Sequence, residues 1–305
     1  MKDRFPAAPY QPDLKAAFLL LGVGVLVALM LPLSRTAMNN GITPLAYAFW
    51  QALGGGVVLA AILRRRSSFR VSSQLVRYFG FSGLTAIAVP NGVAFAVVSE
   101  VGAGLTATLY ALPSLVTYGL AVALRMDTLS RNKALGLSLG VAGCVWILLP
   151  NPEGISASML PWLALGLLVP LSLAVGNIYR TTHWPEGASP EQLAVGMLAG
   201  GAALLFLMAL TSGDVDTLWV EDRYLWGLIG LQSALTAITY LGFFHLQQQT
   251  SPTFLSQLGF VITPAGMFFG IVFHGEAYGW TVWGGVALLL TGVMLANLPR
   301  QEQRA

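Results

Sequence analysis

The chain has 305 residues, of which 55% are hydrophobic and 10% charged, and its mean hydropathy is +0.70. A water-soluble domain carries about 25% charged residues, so these proportions exclude an ordinary soluble globule. The net charge of +3 and pI of about 9.1 are modest, and the placement of Lys and Arg accounts for them without a nucleic-acid partner.

A helix rises about 1.5 Å per residue and the hydrocarbon core is about 30 Å thick, so a span needs roughly 20 apolar residues. Ten such runs follow in chain order: Leu14 to Ala37, Pro44 to Leu63, Leu75 to Ser99, Val101 to Leu124, Asn132 to Leu149, Leu160 to Thr181, Glu191 to Thr211, Tyr224 to Gln247, Pro252 to Phe273 and Thr281 to Leu298. They are apolar on all sides, rich in Leu, Ala and Gly, and lack the two-residue alternation of a barrel strand. The expected fold class is all-α integral membrane with ten transmembrane helices. The segment before Leu14 holds three prolines and no apolar run. The first span is too long for a secretory signal and lacks a small-residue cleavage site, so it is expected to stay on the protein.

Positive charge flanking the spans is retained in the cytoplasm. With the N-terminus inside, fourteen of the sixteen Lys and Arg residues fall on the cytoplasmic side, Arg180 among them. Arg35 and Arg223 fall outside, with the acidic stretch Asp214, Asp216, Glu221 and Asp222. Both termini are therefore expected in the cytoplasm. Arg64-Arg65-Arg66, directly after the second span, reads as an anchor facing anionic lipid rather than a nucleic-acid contact. The single cysteine, Cys144, lies in an apolar run and allows neither an intramolecular disulfide nor a cysteine metal cluster. No cofactor or metal site is read in the sequence.

Compared with itself, the chain shows ordered matches about 150 residues apart. Thr43-Pro44 and Gly54-Gly55 align with Ser189-Pro190 and Gly200-Gly201 at an offset of 146. Leu84-Thr85-Ala86-Ile87 matches Leu235-Thr236-Ala237-Ile238, and Pro113 matches Pro264, both at 151. Asp127, Gly136, Gly143 and Pro150 align with Glu276, Gly285, Gly292 and Pro299 at 149. Two copies of five spans must enter the membrane in opposite senses, because five is odd. The expected units are a cytoplasmic segment 1–13, repeats 14–150 and 160–299, an external linker 151–159 and a tail 300–305. Inverted repeats suit alternating access around a midplane site.

The stretch from Pro90 to Cys144 and its partner from Tyr240 to Asn297 resemble the duplicated EamA-type domain of the drug/metabolite transporter superfamily. Each has a helix-centre proline, an acidic residue at the helix end and a following glycine-rich helix. Asp127 stands where the family commonly has Glu, whereas Glu276 keeps the family residue. The resemblance implies a ten-helix carrier in the cytoplasmic (inner) membrane, exporting amino acids or related metabolites. Spans one to four and six to nine would surround a cavity, with spans five and ten peripheral. Multidrug carriers and nucleotide- or sugar-type metabolite carriers share the same implied fold.

Polar groups in hydrocarbon are costly unless they pair or face a cavity. On that ground Trp50, Thr85, Asn91, Tyr110, Gln232, Thr236, Tyr240 and Gln257 are candidate substrate-binding residues, with Gln51 beside Trp50. Thr85 and Thr236 occupy matching places in the repeats. Pro90 frees a carbonyl in the preceding turn for a polar ligand. The repeat-related Pro113 and Pro264 are candidate hinges. No mid-membrane carboxylate is evident, so a neutral or zwitterionic small molecule with weak or absent proton coupling is expected. Glu276 and Asp127 read as helix caps or partners of Arg, and His245 as an interfacial histidine able to titrate. Gly136-x-x-x-Gly140, Gly196-x-x-x-Gly200 and Gly266-x-x-x-Gly270 read as intramolecular packing faces, so a monomer or weak homodimer is expected. Gly80-Phe81-Ser82-Gly83 matches a short motif of membrane serine proteases, but no histidine pattern supplies a base or HExxH-type metal spacing, and the chain is not read as an enzyme.

Overall fold

The computed structural model describes residues 14–63, 72–123, 131–148, 156–250, 255 and 257–297. Every regular element among them is helical. We label the helical stretches α1 (Leu14–Asn39), α2 (Pro44–Leu63), α3 (Ser73–Val101), α4 (103–123), α5 (Arg131–Leu148), α6 (Ala157–Thr182), α7 (Pro190–Ser212), α8 (Arg223–Gln249), α9 (Leu258–His274) and α10 (Trp280–Asn297). By length and composition, α1, α2, α3, α6, α7 and α8 are long and apolar enough to cross a membrane. The expected spans at α5, α9 and α10 hold shorter apolar helices, and α4 is interrupted by a 3-10 turn at Leu109–Ala111. Asp127, Arg64-Arg65-Arg66, Pro150, Pro299 and the terminal segments 1–13 and 300–305 lie outside the described residues.

Helix ends follow local chemistry. Ser189 and Gln192 form a capping box at the start of α7, with Pro190 in the first turn, where its missing N–H costs nothing. Ser72 and Asp222 cap α3 and α8 with their side-chain oxygens. Proline shapes the interiors. Pro90 follows a π-helical turn at Leu84–Ala88, Pro113 follows the 3-10 turn of α4, and α6 breaks at Leu167 ahead of Pro170. Pro264, the sequence counterpart of Pro113, lies inside an uninterrupted α9 and is exposed.

Without a hydrophobic difference between lipid and side chain, membrane helices associate where small residues let backbones approach. The seams of this bundle follow that rule. A Cβ on Gly143 would sit 2.5 Å from the Leu289 nitrogen, and one on Gly292 2.3 Å from that of Gly140. Ile147 meets Gly285, so α5 and α10 run antiparallel. Gly54 and Gly55 of α2 receive Ser233 and Thr236 of α8 in parallel register. Gly196, Gly200 and Gly201 of α7 receive Phe79, Gly83 and Ile87 of α3, again in parallel. Gly259 meets Ala111 and Gly266 meets Ala107, so α4 and α9 are antiparallel. Each predicted small-residue face is thus occupied within the chain. Further contacts join α1 to α8 and α9, and α6 to α3 and α4.

Candidate functional site: a buried cavity with one cation

The seams leave a cavity between α1, α2, α3, α4, α6, α8 and α9, about 940 Å³ when counted out to its mouth. No described residue of α5, α7 or α10 is among its lining residues. α7 lies behind α2 and α3, because its glycines bring it so close to α3. The walls are mostly apolar, including Val27, Leu31, Phe95, Leu258 and Ile262. The polar lining comes from Gln51, Asn91, Tyr110, Asn177, Arg180, Thr239 and Tyr240.

The π turn at Leu84–Ala88 organises one wall. Pro90 has no N–H to give the Ala86 carbonyl four residues back, and the Val89 N–H reaches the Leu84 carbonyl instead. The carbonyls left over find partners on other helices. Tyr240 donates its hydroxyl to Ala86 at 3.3 Å, and Ser172 donates to Thr85 at 3.0 Å. The freed carbonyl expected to meet a ligand therefore holds Tyr240 in place. Asn91, one residue after Pro90, donates to Gln51 Oε1 at 3.3 Å, tying α3 to α2.

Of the predicted binding residues, the structure brings Asn91, Tyr110 and Tyr240 together on the cavity wall, with Pro113 beside them. The others are placed elsewhere. Trp50 donates its indole N–H to the Leu218 carbonyl at 2.8 Å and stacks edge-on against Trp226, ring centroids 4.8 Å apart. Thr85 donates to Phe81 at 2.8 Å and lies against Gly176 of α6. Thr236 fills the notch at Gly55, and Gln232 is fully buried on the same helix with no hydrogen-bond partner for either side-chain atom. Gln257 precedes α9 as its cap, next to the lining residue Leu258.

Arg180 changes the electrical character expected of the cavity. Its side chain was assigned by charge placement to the cytoplasmic rim, yet it is 1% exposed and lines the cavity. One guanidinium nitrogen, Nη2, donates to Asn177 Oδ1 at 2.6 Å, and Cζ lies 5.7 Å from the Phe243 ring centroid. Nε and Nη1 have no hydrogen-bond partner. No Asp or Glu is among the lining residues, and Arg180 has no ion pair among the described residues. Arg180 stands in the last turn of α6, but a charge held away from water is still costly unless a partner compensates it. The signal in the sequence was Asn177-x-x-Arg180, two polar residues one turn apart on an otherwise apolar helix. A lone Arg at the end of an apolar run reads first as an anchor.

The acidic residues behave differently. Glu276, after the end of α9, accepts from the Ala103 N–H at 2.7 Å and the Gly104 N–H at 3.0 Å, capping the start of α4. Arg35 of α1 and the Tyr278 hydroxyl also donate to it. The expected cap and Arg partner are both present. His245 lies 3.3 Å from Glu191, with its Nδ1 at 2.9 Å from the Leu241 carbonyl, at the joint of α8 and α7.

A model of the EamA-like transporter family matches residues 14–149. The match covers a little under half of the chain, and over those residues the chain is similar to that family. The similarity lies in the first half of the chain and agrees with the resemblance read from the sequence. A solved structure titled "Crystal structure of protein" aligns with a TM-score of 0.65 at 17% identity, covering 95% of this chain and 98% of the other. That likeness extends the fold, and the fold alone, beyond the EamA segment. No curated protein matches the chain.

Proposed function

We propose that this protein is a carrier that moves small organic metabolites across the cytoplasmic membrane by alternating access. Ten spans in two inverted five-helix repeats, 14–150 and 160–299, would form the carrier, with α5, α7 and α10 away from the cavity wall and both termini in the cytoplasm. The observation that carries this reading is the reciprocal packing of the two halves. Gly143 approaches Gly285, and the exchanged pair, Gly292 and Gly136, approach in the same way. The α2–α8 seam has its counterpart in α7–α3, as α1–α9 has in α6–α4. Such a relation supports two states interchanged by swapping the conformations of the halves around a midplane site.

The cargo in this reading is a small metabolite with an apolar body, amino acids and aromatic ones among them, moved outwards. The apolar walls and the Tyr110 and Tyr240 rings support an apolar body. Pro113, after the 3-10 turn and on the cavity wall, is the first hinge; Pro264 serves as its repeat partner. The test is counterflow in proteoliposomes over amino acids, organic acids, nucleosides, sugars and cationic dyes. Saturable, protein-dependent exchange is expected. Single-channel currents would sink the carrier reading, and flux of cationic dyes alone would replace metabolites with drugs as the cargo.

A further inference from the structure

We infer that Arg180 is the anion-binding group of this cavity, receiving a carboxylate whose apolar body lies among Leu31, Phe95 and Ile262. The inference rests on the reading of the cavity as a substrate site. Three observations carry it. Arg180 is 1% exposed and lines the cavity, so its charge is withdrawn from bulk water. Asn177 occupies Nη2, while Nε and Nη1 are unpartnered, which leaves donors free for an incoming anion. The guanidinium presents donors in a planar fork that matches the two oxygens of a carboxylate.

The lining also says what the ligand lacks. Among the described residues it contains no Asp or Glu to receive an ammonium group. A zwitterion would satisfy Arg180 and leave its amine to the rings and amide oxygens, whereas a simple organic acid satisfies the site without that burden. A cationic amine would meet like charge. The order of preference is therefore organic acid, then amino acid, with the amine excluded.

Three probes with the same phenylethyl body separate these cases: hydrocinnamate, L-phenylalanine and phenethylamine. Binding to the purified full-length protein, followed by quenching of tryptophan fluorescence, is expected to be tightest for hydrocinnamate, weaker for L-phenylalanine and absent for phenethylamine. Removing one member of a buried charge pair weakens binding by about 30-fold or more, which is the expected loss of hydrocinnamate affinity in Arg180→Gln. Arg180→Lys keeps the charge but not the fork and should lose about tenfold. The wild-type ranking of the probes needs no variant, so a misfolded substitution does not remove the test. Phenethylamine binding as tightly as hydrocinnamate overturns the inference. So does the absence of saturable hydrocinnamate binding, or unchanged affinity in Arg180→Gln. Counterflow of another metabolite at wild-type rate in Arg180→Gln would overturn the role of Arg180 and leave the carrier standing. Arg180-dependent binding without counterflow would overturn the carrier and leave the site.

Discussion

Among the described residues two arginines are wholly or partly withdrawn from water, and they are treated in opposite ways. Arg35 meets Glu276, whose oxygens also take two backbone amides of α4 and the Tyr278 hydroxyl. Arg180 has Asn177, the face of Phe243 and otherwise unpartnered, buried donors beside a cavity. The first charge is saturated by the fold and joins α1, α4 and the α9–α10 connection. The second is left unsatisfied where a small molecule would sit. A saturated buried ion holds structure, whereas an unsaturated one is a cost that a ligand can offset.

The comparison breaks most sharply at Glu276. Glu276→Ala should lower stability by about 3–5 kcal/mol, because it strands a partly buried arginine and uncaps α4 at once. Thermal unfolding in detergent, followed by circular dichroism, would read this, and a change within error would show that the cluster holds nothing. Gly102→Ala attacks the same cluster from the backbone. Gly102 has φ +92°, and its added Cβ would sit 2.6 Å from Glu276 Oε1. A loss of about 1–3 kcal/mol is expected in the same assay.

Arg180→Leu should move stability the other way. Replacing an uncompensated buried charge by an apolar side chain is expected to raise stability by about 1–3 kcal/mol while abolishing hydrocinnamate binding. A destabilised Arg180→Leu protein would mean that Arg180 is structural, like Arg35. The smallest effect belongs to Tyr240→Phe, which removes the bond to the Ala86 carbonyl and should cost about 1 kcal/mol. Counterflow by that variant would show whether the π turn needs its clamp to hold the cavity wall.

Much of the architecture was legible because hydrocarbon imposes simple rules. Apolar run lengths located the helices, the glycine pairs marked the seams, and Glu276 read correctly as cap and ion partner. The lining of the cavity was less legible. Asn91, Tyr110 and Tyr240 reach it, while Thr236 and Gln232, on the same helix as Tyr240, are buried away from it. Thr85 was paired with Thr236 by repeat position, but it faces the α6 glycine Gly176.

From residues alone followed an all-helical protein with membrane-span-like helices, the approximate spans and a family resemblance in its first half, since length, hydropathy and motif are properties of the chain. Only the tertiary structure decided which way each helix faces. A helix apolar all round carries no stripe to declare its inner side, so its rotation is set by where glycines admit a neighbour. That rotation turned Arg180 from a residue at the end of a span into a charge on the wall of the cavity.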